Sequence, residues 1–308
     1  MQDKGVRELV IIGAGPAGMT AAVYAARKRL DCVVYTGSIG GMAAWSAGIE
    51  NYMGYHMISG AELMSKFEEQ VREFGIPIEN KIVEKVEKNH DLFEVIISGD
   101  SVALSRSVII ATGRRPRKLN VPGEDKLLGK GLSFCATCDA PLFAGKDVAV
   151  IGGGNAALSS AEQLTRIASK VYVITVGDWT GDQILQKRIS ESPLIETLKD
   201  HDVVDVEGQQ FVEKIRIRSR ETGDEREIPV KGVFVEIGSE PASGIVKNIA
   251  KLTNRGEIMV DCGNRTNIEG LFAAGDVTDA PYKQVIVAAG EGAKSALSAY
   301  EYVIRNRK

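Results

Sequence analysis

Twice in this 308-residue chain a short apolar run enters a glycine-rich turn and leaves it as a helix, and no other feature restricts the fold as tightly. The first instance is Leu9-Val-Ile-Ile12, then Gly13-Ala-Gly15-Pro-Ala-Gly18, a helical stretch from Met19 to Arg29, and the strand Cys32-Val-Val-Tyr35. The second is Val148-Ala-Val-Ile151, Gly152-Gly-Gly154-Asn-Ala-Ala157, a helix through Ile167, and the strand Val171-Tyr-Val-Ile174. Each reads as a βαβ unit whose glycines lie where a dinucleotide pyrophosphate rests on a helix N-terminus, met by free N–H groups and the positive end of the dipole. In both units the first glycine precedes a threonine by 23 residues, Gly13 to Thr36 and Gly152 to Thr175. A shared register argues for two Rossmann-like dinucleotide-binding domains in an α/β fold, not for one motif and one coincidence.

Between the units the pattern predicts an amphipathic helix over about 61–74, alternating strands over about 78–102, and a buried strand from Ser107 to Thr112 that ends at Gly113. The basic, proline-containing stretch Arg114 to Gly123 reads as a linker, and the turn-rich Gly238 to Gly244 as a second. After the second unit come a helix near Gln183 to Ile189 and strands over about 203–237; later, Leu271-Phe-Ala-Ala274 runs into Gly275-Asp276, and a long helix covers Gln284 to Arg305. If that last segment rejoins the first, the second domain is inserted into the first, with residues 1–118 and 245–308 in one body and 119–244 in the other. The near balance of 38 Lys+Arg against 41 Asp+Glu disfavours a nucleic-acid partner. No window reaches the roughly 18 apolar residues of a membrane span, and the first residues lack the apolar core of a signal peptide, so a cytoplasmic protein with no membrane partner is expected.

Four cysteines are too few for a secreted disulfide scaffold, yet Cys135-Ala-Thr-Cys138 places two of them three apart. Such a pair can close a small disulfide ring and is redox-active when one thiol is kept partly ionised. Zinc, the rival reading, usually needs a second close ligand pair, and only the isolated Cys32, Cys262, His56, His90 and His201 are on offer; haem attachment needs His where Asp139 stands. No metal is expected. Asp139 reads as a proton donor and acceptor for dithiol chemistry, with a helix N-cap as the plainer alternative. A dithiol on a two-nucleotide scaffold calls for a two-electron cofactor, and flavin exchanges electrons with thiolates directly. The first unit is then the natural FAD site, Thr112-Gly113 and Gly275-Asp276 offer further contacts, and Asp276 is an acceptor for ribityl hydroxyls. The last helix would bring its positive end, at Gln284 and Val285, toward a reduced, anionic ring; simple packing is the alternative.

Gly13-Ala-Gly-Pro-Ala-Gly18, Gly40-Gly41, Ile49-Glu-Asn51, Ala111-Thr-Gly113, Val121-Pro-Gly-Glu124, Cys135-Ala-Thr-Cys-Asp139, Gly152-Gly-Gly-Asn155, Ala273-Ala-Gly-Asp276 and Tyr282-Lys-Gln284 resemble the low-molecular-weight thioredoxin reductases over nearly the whole chain. The stretch Tyr282 to Lys294 is especially similar to the flavoprotein subunit of alkyl hydroperoxide reductase. That subunit carries an extra N-terminal thioredoxin-like domain; here the first dinucleotide strand begins near residue 8, so such a domain is expected to be absent and electrons to leave to a separate thioredoxin- or glutaredoxin-like protein. The resemblance implies a homodimer with FAD in the discontinuous domain. It implies contacts from Gly13, Gly15, Gly18, Gly41, Asn51, Thr112, Gly113, Gly275, Asp276, Lys283, Gln284 and Val285. It further implies that Cys138 faces the flavin, that Cys135 exchanges with the partner disulfide, and that Asp139 handles protons. In the family the inserted domain swivels, and the two linkers sit where hinges belong.

The chain departs from the family after the second strand of the inserted domain. NADPH users there have a His-Arg-Arg run that holds the 2′-phosphate, and NADH users a glutamate; this chain reads Thr175-Val-Gly-Asp-Trp-Thr-Gly-Asp182. Losing two charge-assisted hydrogen bonds at about 1.5–3 kcal/mol each weakens NADPH by about 3–6 kcal/mol. NAD(P)H is therefore doubtful, and the expected donor is ferredoxin, a deazaflavin or a second flavin. The alternatives are an NADH- or NADPH-linked reductase with weakened preference, in which Asp178 reaches a ribose hydroxyl from 26 residues after Gly152, and a flavin redox sensor without turnover. In the unusual Gly41-Met-Ala-Ala-Trp45, Trp45 is expected to pack in the core rather than stack on the flavin. The run Arg114, Arg115, Arg117 and Lys118 is expected to be a solvated linker rather than a dock for an acidic donor. Cys32 is expected to be buried in its strand; Cys262 and the three histidines carry no role.

Overall fold

The structure, a computed structural model, describes residues 5–46, 48–99 and 101–306. The chain runs through β1 (Arg7–Ala14), α1 (Pro16–Arg27), β2 (Cys32–Ile39), α2 (Gly60–Glu73), β3 (Ile78–Asn80), β4 (Val83–Asn89), β5 (Leu92–Ile97) and β6 (Ser101–Ile110) to β7 (Arg114–Pro116). There follow α3 (Glu124–Leu127), β8 (Leu132–Ser133), α4 (Ala136–Asp139), β9 (Asp147–Ile151), α5 (Asn155–Leu164), β10 (Lys170–Ile174), α6 (Gln183–Glu191) and β11 (Ile195–Leu198). Next come β12 (His201–Glu207), β13 (Lys214–Ser219), β14 (Glu225–Pro229), β15 (Gly232–Val235), β16 (Ser239–Pro241), β17 (Leu271–Ala273) and α7 (Val285–Arg305).

Two sheets organise these elements. The first runs β3-β2-β1-β6-β5-β4, with β17 set parallel against the C-terminal half of β6. The second is the all-parallel β11-β10-β9-β15-β8. Because β17 and α7 return to the first sheet after the second is complete, the second Rossmann-like unit is inserted into the first. The 23-residue spacing seen in the sequence is a strand register: Leu9 pairs with Cys32 in one sheet and Val148 with Val171 in the other.

The middles of the central strands, Leu9 to Ile12 in β1 and Val148 to Ile151 in β9, are continuously apolar because both of their faces are covered. In β1, Leu9 and Ile11 join the core under α1, α2 and α7, while Val10 and Ile12 join a separate core with Val86, Val95 and Ile258. In β9, Val148 and Val150 face α5 and α6, while Ala149 and Ile151 face the antiparallel sheet β12-β13-β14. Helix α7 reaches its place because Gly292 has no side chain: a Cβ there would stand 2.1 Å from the Ala17 carbonyl oxygen of α1. Among the described residues no helix is long and apolar enough to cross a membrane.

The two linkers are not separate. Pro116 pairs with Ser239 and Arg114 with Pro241, so β7 and β16 form a two-stranded antiparallel crossing between the halves. This corrects the expectation that the whole basic run is solvated. The Arg114 side chain is only 14% exposed, ion-paired to Glu257 at 2.8 Å and donating to Ser239 Oγ at 2.7 Å and Ser239 O at 2.8 Å. Arg117 and Lys118 do lie at the surface, paired with Glu240 and Asp125. Cys32 is buried in β2, and Cys262 is exposed.

Candidate active site

A cavity of about 440 Å³ opens at the carboxyl ends of the first sheet and is closed on its far side by α4 of the inserted unit. Its walls collect residues from distant parts of the sequence: Gly13 and Gly15 from the first turn, Gly41 beyond β2, Asn51 from the loop before α2, and Thr112 and Gly113 past β6. Gly275 and Asp276 follow β17, and Lys283, Gln284 and Val285 lead into α7. Of the expected contacts only Gly18 stays away from this wall. It lies under the turn, where a Cβ would stand 1.8 Å from the Gly13 carbonyl oxygen, so it shapes the loop instead of lining the space.

Two helices aim their N-termini at this cavity, α1 capped by Gly15 and α7 by Gln284, and neither has a side-chain hydrogen bond on its first amides. Such ends favour anionic groups. Asn51 Nδ2 donates to Gln284 Oε1 at 3.1 Å, tying the loop before α2 to the start of α7. Burial pushes the Asp276 carboxyl above its ordinary range, against the pull of Lys283 and Arg114. The turn bearing Asp276 is held from below by Glu291, 7% exposed, which accepts from the Gly275 amide at 2.7 Å and the Thr278 hydroxyl at 3.1 Å. Sequence reasoning missed Glu291; a lone glutamate on the apolar face of α7 was the available signal.

Cys135 and Cys138 form a disulfide, Cα–Cα 5.4 Å, and both line the same cavity as the glycine turn. Cys135 caps α4, its Sγ accepting from the Cys138 amide at 3.2 Å. Asp139 ends α4 and stands at the N-cap position of the 3-10 turn Ala140–Phe143 that follows, but its side chain makes no capping bond there; the residue is 4% exposed and its carboxylate accepts from the Ser46 hydroxyl at 2.6 Å. Ser46 belongs to the segment after β2, and its bond therefore joins the two halves across the cavity. Trp45, expected in the core, is 41% exposed; it lies on a 3-10 turn with no buried residue, its ring 6.3 Å from Phe134 of the inserted unit.

The second glycine turn has a different setting. Buried Thr175 donates to the Gly177 carbonyl at 2.5 Å, as Thr36 does to Ser38 in the first unit. Asp178, its side chain 90% exposed, pairs with Lys199 at 2.8 Å, which lowers its pKa. Trp179 packs against Gly153 with Lys199 5.2 Å above its ring, and the Thr180 and Gly181 amides bond to the Gly153 carbonyl at 2.8 and 3.1 Å.

Residues 7–292 match the family described as pyridine nucleotide-disulphide oxidoreductase, and the chain belongs to that family. It is 39% identical to the NADH dehydrogenase of Bacillus subtilis (strain 168) over 305 residues, covering 99% of this chain and 60% of that one. It is also 39% identical to an alkyl hydroperoxide reductase subunit of Staphylococcus epidermidis over 306 residues, again 99% of this chain and 60% of the relative. The chain thus spans about 60% of the length of these curated relatives. The crystal structure of thioredoxin reductase from Streptococcus pyogenes MGAS5005 superposes with a TM-score of 0.93 at 36% identity, over 98% of this chain and all of that one. Within its family the chain is of the low-molecular-weight thioredoxin-reductase type.

Proposed function

We propose that this chain, as a homodimer, passes electron pairs through FAD and the Cys135–Cys138 pair to a disulfide in a thioredoxin- or glutaredoxin-like protein. Its electrons come from a reduced nicotinamide, NADH in preference to NADPH. The observation that carries this reading is that the disulfide and the first glycine turn wall one cavity. The residues fit FAD: two uncapped helix N-termini for anionic groups, a buried carboxylate at Asp276, and glycines that let the backbone approach closely. The Gly15 and Ala17 amides would hold the pyrophosphate, Asp276 the ribityl hydroxyls, and the start of α7, with Asn51, Lys283 and Gln284, the ring. Bound there, FAD supplies reversible two-electron transfer to a sulfur.

The protein's own part is to present sulfur, move protons and turn. Cys138 takes the flavin side and Cys135 meets the partner. Asp139, buried and hydrogen-bonded, is placed to exchange a proton with the dithiol once it opens. Residues 119–244 rotate about the paired linkers to carry the thiols outward. For the donor, one relative is named an NADH dehydrogenase, and the segment after β10 has no arginine for a 2′-phosphate. A second reading, a donor outside the nicotinamide class such as ferredoxin, is favoured by one observation: Trp179 and its neighbours pack across the second glycine turn.

Anaerobic titration of the yellow protein tests both. NADH should bleach the flavin stoichiometrically, and NADPH should need far higher concentrations. Bleaching by dithionite with neither nicotinamide effective would transfer the donor assignment to the second reading. A dithionite-reduced protein that leaves thioredoxin disulfide intact would overturn the proposal itself.

A further inference from the structure

We infer, resting on the disulfide-reductase reading, that Glu236 is a second acid–base positioning residue for the dithiol: its carboxylate takes up a proton as the Cys135–Cys138 bond opens. Glu236 follows β15 at the crevice between β15 and β9, where the order of the second sheet reverses. Its Oε1 accepts from the Ser160 hydroxyl of α5 at 3.0 Å and from the Ala136 amide, the first of α4, at 3.5 Å. That amide is bonded directly to Cys135. The four bonds from that nitrogen to the sulfur, bent at each atom, span only about 4.5 Å in a straight line, which puts Oε1 within about 8 Å of the Cys135 sulfur. Gly152 seals the other side, since a Cβ there would stand 2.4 Å from the Glu236 carbonyl oxygen.

Burial raises the Glu236 pKa above the ordinary carboxylate value, opposed by the bonds from Ser160 and Ala136, and no charged side chain contributes. The titratable groups on the helices packed against it are the sulfur pair and Asp139 on α4 and Glu162 on α5. Asp139 is bonded to Ser46, and Glu162 is paired with Arg188 at 3.0 Å. The β9 turn, Gly152 to Gly154, brings none. The charge that changes nearest to Glu236 is therefore the one made by the chemistry. Two electrons and one proton convert the disulfide to one thiol and one thiolate, a gain of one negative charge. At about 8 Å in an effective dielectric of about 20, that charge raises the proton affinity of a carboxylate about 30-fold. The balanced step is disulfide plus ionised Glu236 plus two electrons plus two protons, giving thiol, thiolate and neutral Glu236, with the electrons from the reduced flavin and the protons from solvent.

The test is the dithiol potential against pH, read by thiol trapping and mass spectrometry of the full-length holoprotein in dithiothreitol redox buffers from pH 5 to 8. One added proton per electron pair is a tenfold change in the equilibrium per pH unit, about 30 mV. The wild type should show that extra slope over part of the range, and Glu236→Gln, which keeps an oxygen to accept from Ser160 and Ala136, should lose it. Ser160→Ala removes a bond that favours the ionised form, and should move the steep segment to higher pH. Equal slopes in wild type and Glu236→Gln, with a reversible dithiol couple in both, would overturn this inference alone. A wild-type disulfide that no poise reduces would overturn it together with the functional reading.

Discussion

Ser46→Ala should release the inserted unit from its position against the cavity. The hydroxyl is the donor in a 2.6 Å bond to the nearly buried Asp139 carboxylate, and it comes from the opposite half of the molecule. A hydrogen bond to a charged group contributes about 1.5–3 kcal/mol. Losing it should shift the balance between the arrangement seen here and a rotated one by about 10- to 150-fold. The assay is alkylation of Cys135 and Cys138 by iodoacetamide after reduction, followed by mass spectrometry. If the thiols react chiefly when turned outward, the rate follows the rotated fraction, and Ser46→Ala should react about 10-fold faster or more. Ser46→Thr, which keeps a hydroxyl, should stay near the wild-type rate. A Ser46→Ala rate within twofold of wild type, at unchanged melting temperature, would refute the idea that this bond latches the two halves.

Gly18→Ala forces a Cβ to 1.8 Å from the Gly13 oxygen, so it should cost at least about 3 kcal/mol and strip the flavin; a full flavin-to-protein ratio with unchanged melting would contradict this. Burial pushes the Cys32 thiol up to about 12 from an ordinary 9.0. The unfolded chain therefore ionises first, and this stability contribution is complete below pH 9 and falls by about 1.4 kcal/mol per pH unit from there toward pH 12. The urea midpoint of Cys32→Ala should decline less steeply than that of wild type between pH 9 and 10.5, and parallel curves would count against the burial argument. Arg114→Ala should lower stability by about 3 kcal/mol, and a double-mutant cycle with Glu257→Gln should show a coupling above about 1 kcal/mol; additivity within about 0.5 kcal/mol would show the linker pin to be idle.

Most of the architecture was legible because its causes are local. Strand segments covered on both faces are almost continuously apolar, a tight turn into a helix needs glycines, and the 23-residue interval of each unit is fixed by one helix laid between two parallel strands. The return of β17 to the first sheet could be anticipated from a short apolar run ending in Gly275-Asp276. What misled was inference from composition. Arg114 stands in a basic, proline-containing stretch yet is folded between Ser239 and Glu257, which lie 125 and 143 residues further along. Trp45 looks like a core residue and is half exposed, because its neighbour Phe134 belongs to the other half.

The site divides along the same line. Sequence alone determined the residue types and their local geometry: a dithiol one helical turn apart, a glycine turn opening a helix, a carboxylate next to the second cysteine. Tertiary structure decided which of these share a cavity. Ser46 faces Asp139 over a separation of 93 residues, Glu236 meets Ala136 over 100, and Asn51 meets Gln284 over 233. Those pairings have no periodic signature, since they depend on how an inserted unit is hung from two strands and how two sheets are turned toward each other. A one-dimensional pattern records the period of a helix or strand, whereas the distance between two side chains on different elements is set only when the cores beneath them have packed.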